Sequence, residues 1–164
     1  MSKEANKTVL AIYPTRYGIG YAVFDTPENL VDFGIRYVQP MKNKHVMTRV
    51  REYISFFKPD ILLCRNVNDL KKRSGKRSKK LIDLICDEAK TQGLEIHTYN
   101  RTQIQNVFTQ FGAKTKYQIS QKIMKWYPIL KNYEFTKRKA WETESYNTGV
   151  FDAVSLVMVH YYME

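Results

Sequence analysis

The chain has 164 residues, enough to bury one hydrophobic core. Its 27 Lys and Arg outnumber 16 Asp and Glu, and the resulting formal charge of +11 points to a polyanionic partner, nucleic acid being the simplest. No apolar run is long enough to span a bilayer, residues 1–7 are polar with no signal-peptide core, and Cys64 and Cys86 form neither a Cys-x-x-Cys pair nor a disulfide framework; a cytoplasmic protein with no membrane partner, no zinc and two reduced thiols is expected.

Val9-Leu10-Ala11-Ile12-Tyr13 is short, apolar and β-branched, and Gly18 to Asp25 alternates around glycines. The intervening Pro14-Thr15-Arg16-Tyr17 supplies turn residues, so the two runs predict an antiparallel hairpin. A third strand is expected over residues 30–38. Val46, Met47, Val50, Tyr53, Ile54 and Phe57 then repeat at helical spacing, and Pro59 stops that helix. Residues 60–65 form a short continuous apolar run, the pattern of a buried parallel strand. A second helix from about 78 to 92 ends at Gly93, a fifth strand covers 94–99, and helices follow over 101–108, over 116–126 before Pro128, and near Asp152 to the end. Three early strands that need no crossover, then strands alternating with helices, predict an α/β fold: a mixed five-stranded sheet, three strands antiparallel and two parallel, flanked by helices. One domain over 1–164 accounts for the pattern.

Between the fourth strand and the second helix, Lys71, Lys72, Arg73, Lys76, Arg77, Lys79 and Lys80 crowd into ten residues with Ser74, Gly75 and Ser78. Such density repels itself, so a flexible basic loop at about 70–80 is expected, acting as a sequence-blind grip on phosphates. Most of the twelve tyrosines belong to the core, as does an aromatic face of Phe108, Phe111, Trp126 and Tyr127; Tyr17 and Tyr117, each beside a cation in a turn or loop, are candidates to touch nucleic acid. There is no phosphate-binding glycine loop and no dinucleotide fingerprint.

The hairpin, the stretch Arg101-Thr102-Gln103-Ile104-Gln105-Asn106-Val107-Phe108, the loop Gly112-Ala113-Lys114-Thr115-Lys116-Tyr117-Gln118-Ile119 and the closing Thr148-Gly149-Val150-Phe151-Asp152-Ala153 together resemble, in order and over nearly the whole chain, RuvC-type Holliday junction resolvases of the RNase H-like superfamily. In that family the first strand ends Ile-Asp-Pro-Gly, a Gly-x-Ala-x-Lys-x-Gln loop precedes a helix, and the last helix carries an Asp-Ala signature. The resemblance implies an RNase H-like sheet, branched DNA as ligand and a homodimer. It also implies two Mg²⁺ ions held by converging carboxylates, one from the first strand's end, one from the fourth strand's end and two from near the start of the last helix. Carried over, these positions fall on Tyr13, on Cys64 or Arg65, on Gly149 and on Asp152. Only Asp152 is acidic.

Two readings of Asp152 follow, a vestige of the metal site or a residue that opens and caps the last helix, and the capping role is the one expected. The leading functional expectation is a RuvC-like protein that has lost cleavage and holds branched DNA through Arg16, Tyr17, Arg65, Lys71, Lys72, Arg73, Lys76, Arg77, Lys114 and Lys116, with no metal and no cofactor. One alternative is an active Mg²⁺-dependent endonuclease that recruits Asp25, Asp69, Glu142 or Glu144 as relocated acids. The other is a protein-interaction adaptor whose basic loop meets an acidic partner.

Overall fold

Six consecutive buried residues place Val9–Pro14 (β1) in the middle of the sheet. A strand buried on both faces needs a neighbour at each edge. β2 (Gly18–Thr26) runs antiparallel along one edge, with Tyr13 opposite Gly20, and β4 (Ile61–Arg65) runs parallel along the other, with Ile12 opposite Cys64. β3 (Asn29–Tyr37) pairs with β2 and β5 (Glu95–Tyr99) with β4, giving the order β3-β2-β1-β4-β5. The mixed sheet expected from the sequence is thus present. The computed structural model describes residues 6–69, 76–139 and 145–163.

Alternation along the strands builds two cores. Val9, Ala11, Tyr13 and Leu63 face α3 (Arg101–Thr109), α4 (Lys116–Trp126) and α5 (Thr148–Met163), whereas Leu10, Ile12, Leu62 and Cys64 face α1 (Asn43–Phe57) and α2 (Lys76–Thr91). α5 is buried on nearly every side because it packs on β1, β2 and β4 while α3 and α4 cover it. Its closest approach to the sheet is at paired glycines: a Cβ added to Gly20 would lie 2.1 Å from the Gly149 carbonyl oxygen. Only a missing side chain allows that contact.

Local signals set the helix ends. Lys58 turns left-handed after α1 and donates its N–H to the Ile54 carbonyl, and Pro59 blocks continuation. Asn100 with Gln103, and Thr115 with Gln118, form capping boxes that start α3 and α4 at Arg101 and Lys116. α2 begins at Lys76, two residues before the start expected near 78, so the last part of the expected basic loop is helical. Asn43 at the start of α1 donates to the Arg77 carbonyl and accepts from the Arg77 guanidinium, fixing this turn against its neighbour. Lys71, Lys72 and Arg73 lie outside the described residues. Phe108 is fully buried as expected, but Phe111 and Trp126 remain more than a third exposed, packed edge to face on each other, with Tyr162 of α5 edge to face on Phe111.

Among the described residues no helix is long and apolar enough to cross a membrane. Cys64 is buried and Cys86 half-buried, and burial pushes both thiols above their ordinary value. Ellman's reagent should therefore reach Cys86 in the native protein and modify Cys64 only as fast as the fold opens. Native-state labelling of Cys64 at the rate of a free thiol would contradict this core.

Candidate nucleic-acid interface

The C-terminal ends of β1 and β4 lie side by side, and strand alternation decides which side chains meet there. Cys64 points to the α1–α2 core, so Arg65, one residue on, faces α5 together with Tyr13. Its guanidinium carbon sits 4.7 Å from the centre of the Tyr13 ring, and the Lys116 ammonium approaches the same ring at 5.9 Å. A cation held over a partly desolvated ring gains roughly 1–2 kcal/mol. Lys116 also lies 3.5 Å from the Asp152 carboxylate. Tyr13 and Asp152 are only 5% and 4% exposed, so a cation sandwiched by an aromatic face and a carboxylate occupies this end of the sheet. The Arg65 Nε–H is buried and has no acceptor among the described residues.

Asp152 does not cap α5. The helix begins at Thr148, so Asp152 is its fifth residue, and its carboxylate turns to Lys116 on α4. The earlier start follows from the glycine contact, because Gly149 must already be helical to bring α5 down on Gly20. A side chain at Gly149 would meet the Thr15 methyl at 3.0 Å, which is tight. Asp25 is remote: it follows Phe24, which pairs with Val9 at the opposite end of β1, and it accepts a hydrogen bond from Asn29. Asp69 follows β4 in a short 3-10 turn, Val67–Asp69. Glu142 and Glu144 lie outside the described residues. Among the described residues no three His, Cys, Asp or Glu side chains converge as metal ligands.

An Mg²⁺ pair needs a shell of oxygens, mostly carboxylates. The donor set of Tyr13, Arg65, Gly149 and Asp152 offers one carboxylate, already facing an ammonium, beside a permanent guanidinium charge. It does not fit such a metal pair. What this arrangement can do chemically is attract and orient phosphate oxygens.

The other predicted residues spread along the same edge. Arg16 is exposed in the β1–β2 turn, its guanidinium carbon 5.8 Å from the Tyr17 ring centre. Tyr17 meets Tyr146 edge to face at 5.2 Å, and Tyr146 lies 6.3 Å from Tyr37. The grouping of Tyr37 and Tyr146 with Tyr17 was not legible in the sequence, because the pairing of Gly18 with Tyr37 and the return of the chain before α5 bring them together. Lys114 is exposed in the loop before α4, and Lys76 and Arg77 are exposed at the start of α2, on the sheet's other face.

No protein-family model matches this chain, and no curated protein matches it. Among solved structures it is similar to Thermus thermophilus RuvC, with a TM-score of 0.67, 14% identity and coverage of 94% of this chain and 93% of that one. The chain has a RuvC-like fold. A second structure, T. thermophilus RuvC in complex with Holliday junction substrate, superposes with a TM-score of 0.66 over the same shares of the two chains, again at 14% identity. On this RuvC-like, RNase H-like frame the positions picked out by the resemblance do converge: Tyr13 pairs with Gly20, Gly20 touches Gly149, Arg65 covers Tyr13, and Lys116 links Tyr13 to Asp152.

Proposed function

We propose that this protein is a single-domain, cytoplasmic, RuvC-like module that binds branched or junction DNA and has lost metal-dependent cleavage. One observation carries the reading: the Arg65 guanidinium rests on Tyr13 where the resemblance puts two acids of a metal site. A fixed cation there attracts a phosphate, as a bound metal does, but it generates no hydroxide nucleophile and no clamp on a leaving oxygen. Arg16, Lys114 and Lys116 extend the positive edge, Lys76 and Arg77 continue it around the start of α2, and Lys71, Lys72 and Arg73 add to it in sequence. Branched DNA, rather than any polyanion, is favoured by the likeness to a protein solved with a Holliday junction. A homodimer, implied by the family resemblance of the sequence, is part of the proposal.

A mobility-shift assay in chelator tests the binding half. The protein is expected to hold a four-way junction more tightly than a linear duplex of equal length, and failure to bind either would remove the reading. Tyr13→Asp alone is expected to leave cleavage absent in Mg²⁺, because the new carboxylate would face Arg65 and Lys116 and pair with them rather than with a metal. Cleavage gained from that single change would mean that the remaining ligands are already in place.

A further inference from the structure

Beside the Tyr13–Asp152 cluster a half-enclosed cavity of about 490 Å³ opens between the start of α4, the start of α5 and residues 134–138. That volume suits a small ligand. Its wall is divided by chemistry. Tyr117 and Phe135 form an aromatic side, their ring centres 6.3 Å apart and edge to face, and Phe135 is backed at 5.7 Å by Phe151 of the core. Lys116, Lys137 and Arg138 supply three cations. The single acid among the described lining residues, Glu134, is engaged elsewhere: it pairs with Lys131 and accepts from Gln121, and these bonds hold its carboxyl below the usual range. Thr148, in the first turn of α5, is 2% exposed, and its hydroxyl has no partner among the described residues.

We propose that this cavity seats one unpaired nucleotide of a bound DNA strand, with its base against Tyr117 and Phe135 and its phosphate held by Lys116, Lys137 and Arg138. Aromatic rings and cations in one cavity match the two halves of a nucleotide, a hydrophobic ring and an anion. The aromatic half does not suit a paired duplex, whose bases offer no free face. The seat rests on the nucleic-acid reading above and goes beyond it, since phosphate gripping alone requires no aromatic wall. Lys116 is shared between this cavity and the Tyr13–Asp152 cluster, so a strand crossing the positive edge can deliver a nucleotide into it.

The test compares a fully paired duplex with the same duplex carrying a single unpaired adenine, by fluorescence anisotropy in chelator. Wild type is expected to bind the bulged duplex about tenfold more tightly, the scale of one base stacked on protein aromatics. Thr136→Trp, an exposed change that fills the cavity, should bring the two affinities together while leaving paired-duplex binding unchanged. Phe135→Ala, with its melting temperature checked, should do the same by removing the wall. Equal wild-type affinities for the two duplexes, or a preference that survives both variants, would overturn the seat while leaving nucleic-acid binding intact. Loss of binding to every DNA tested would instead remove the parent reading and the seat with it.

Discussion

Gly20→Ala is expected to destabilise the fold by about 3 kcal/mol, the upper part of the range for forced overpacking. The added methyl would sit 2.1 Å from the Gly149 carbonyl oxygen and 2.9 Å from its Cα, and both are backbone atoms of a helix buried on nearly all sides. Nothing there can swing aside, so α5 must lift from β2 and open contacts with β1 and β4 as well. Gly93→Ala is the control. Gly93 is left-handed at φ +78° after α2 but has nothing within 4 Å of an added Cβ, so its cost is backbone strain alone, about 1 kcal/mol. Urea denaturation of the two variants should separate them clearly, and a Gly20→Ala protein as stable as wild type would mean that the helix does not rest on the sheet at this point.

The same geometry bears on the missing acid. An aspartate at position 149 would press on the Thr15 methyl at 3.0 Å, so restoring Tyr13→Asp, Arg65→Glu and Gly149→Asp together should also require Thr15→Ser to relieve the contact. The close seating of α5 on the sheet leaves little room for a side chain at 149.

The second large effect concerns binding. Neutralising Lys71, Lys72, Arg73, Lys76 and Arg77 together should weaken junction affinity and flatten the plot of log affinity against log salt, by about 0.9 for each residue that had contacted a phosphate and so by up to about 4.5 in all. Melting temperature should move little, since Lys76 and Arg77 are exposed and surface charges contribute little to stability. Among the described residues the side-chain contact at risk is the Asn43–Arg77 pair, and Arg77→Gln keeps a donor for it. An unchanged salt slope would favour an acidic protein partner over DNA.

How far the sequence reached depended on whether a signal was local. β1 was legible because burial on both faces gives an unbroken apolar run, and the strand order followed from connections too short for crossovers, then from alternation with helices. α4 was placed at both ends, with Pro128 marking its close, and the structure adds the Thr115–Gln118 capping box at its start. The start of α5 was misjudged. Asp152 has the look of a cap, whereas the true start at Thr148 is set by a glycine contact 129 positions away in the chain, between Gly149 and Gly20. The choice between Cys64 and Arg65 could have been made from alternation alone, because Tyr13 and Arg65 fall on one face. The aromatic rim of Tyr17, Tyr37 and Tyr146, and the cavity near Lys137 and Arg138, had no local signature, since residues 128–139 carry no helical or strand period.

The central claim is that a RuvC-like edge whose metal ligands have been replaced by built-in cations binds junction DNA without cutting it. Incubation of the purified wild-type protein with a labelled four-way junction in Mg²⁺ and in Mn²⁺, at concentrations where a mobility shift shows full binding, tests it most directly. The account predicts a shifted junction that remains intact. Cleavage that vanishes in chelator and in Asp152→Asn would contradict it, and would place Glu142 and Glu144 among the first candidates for the missing ligands.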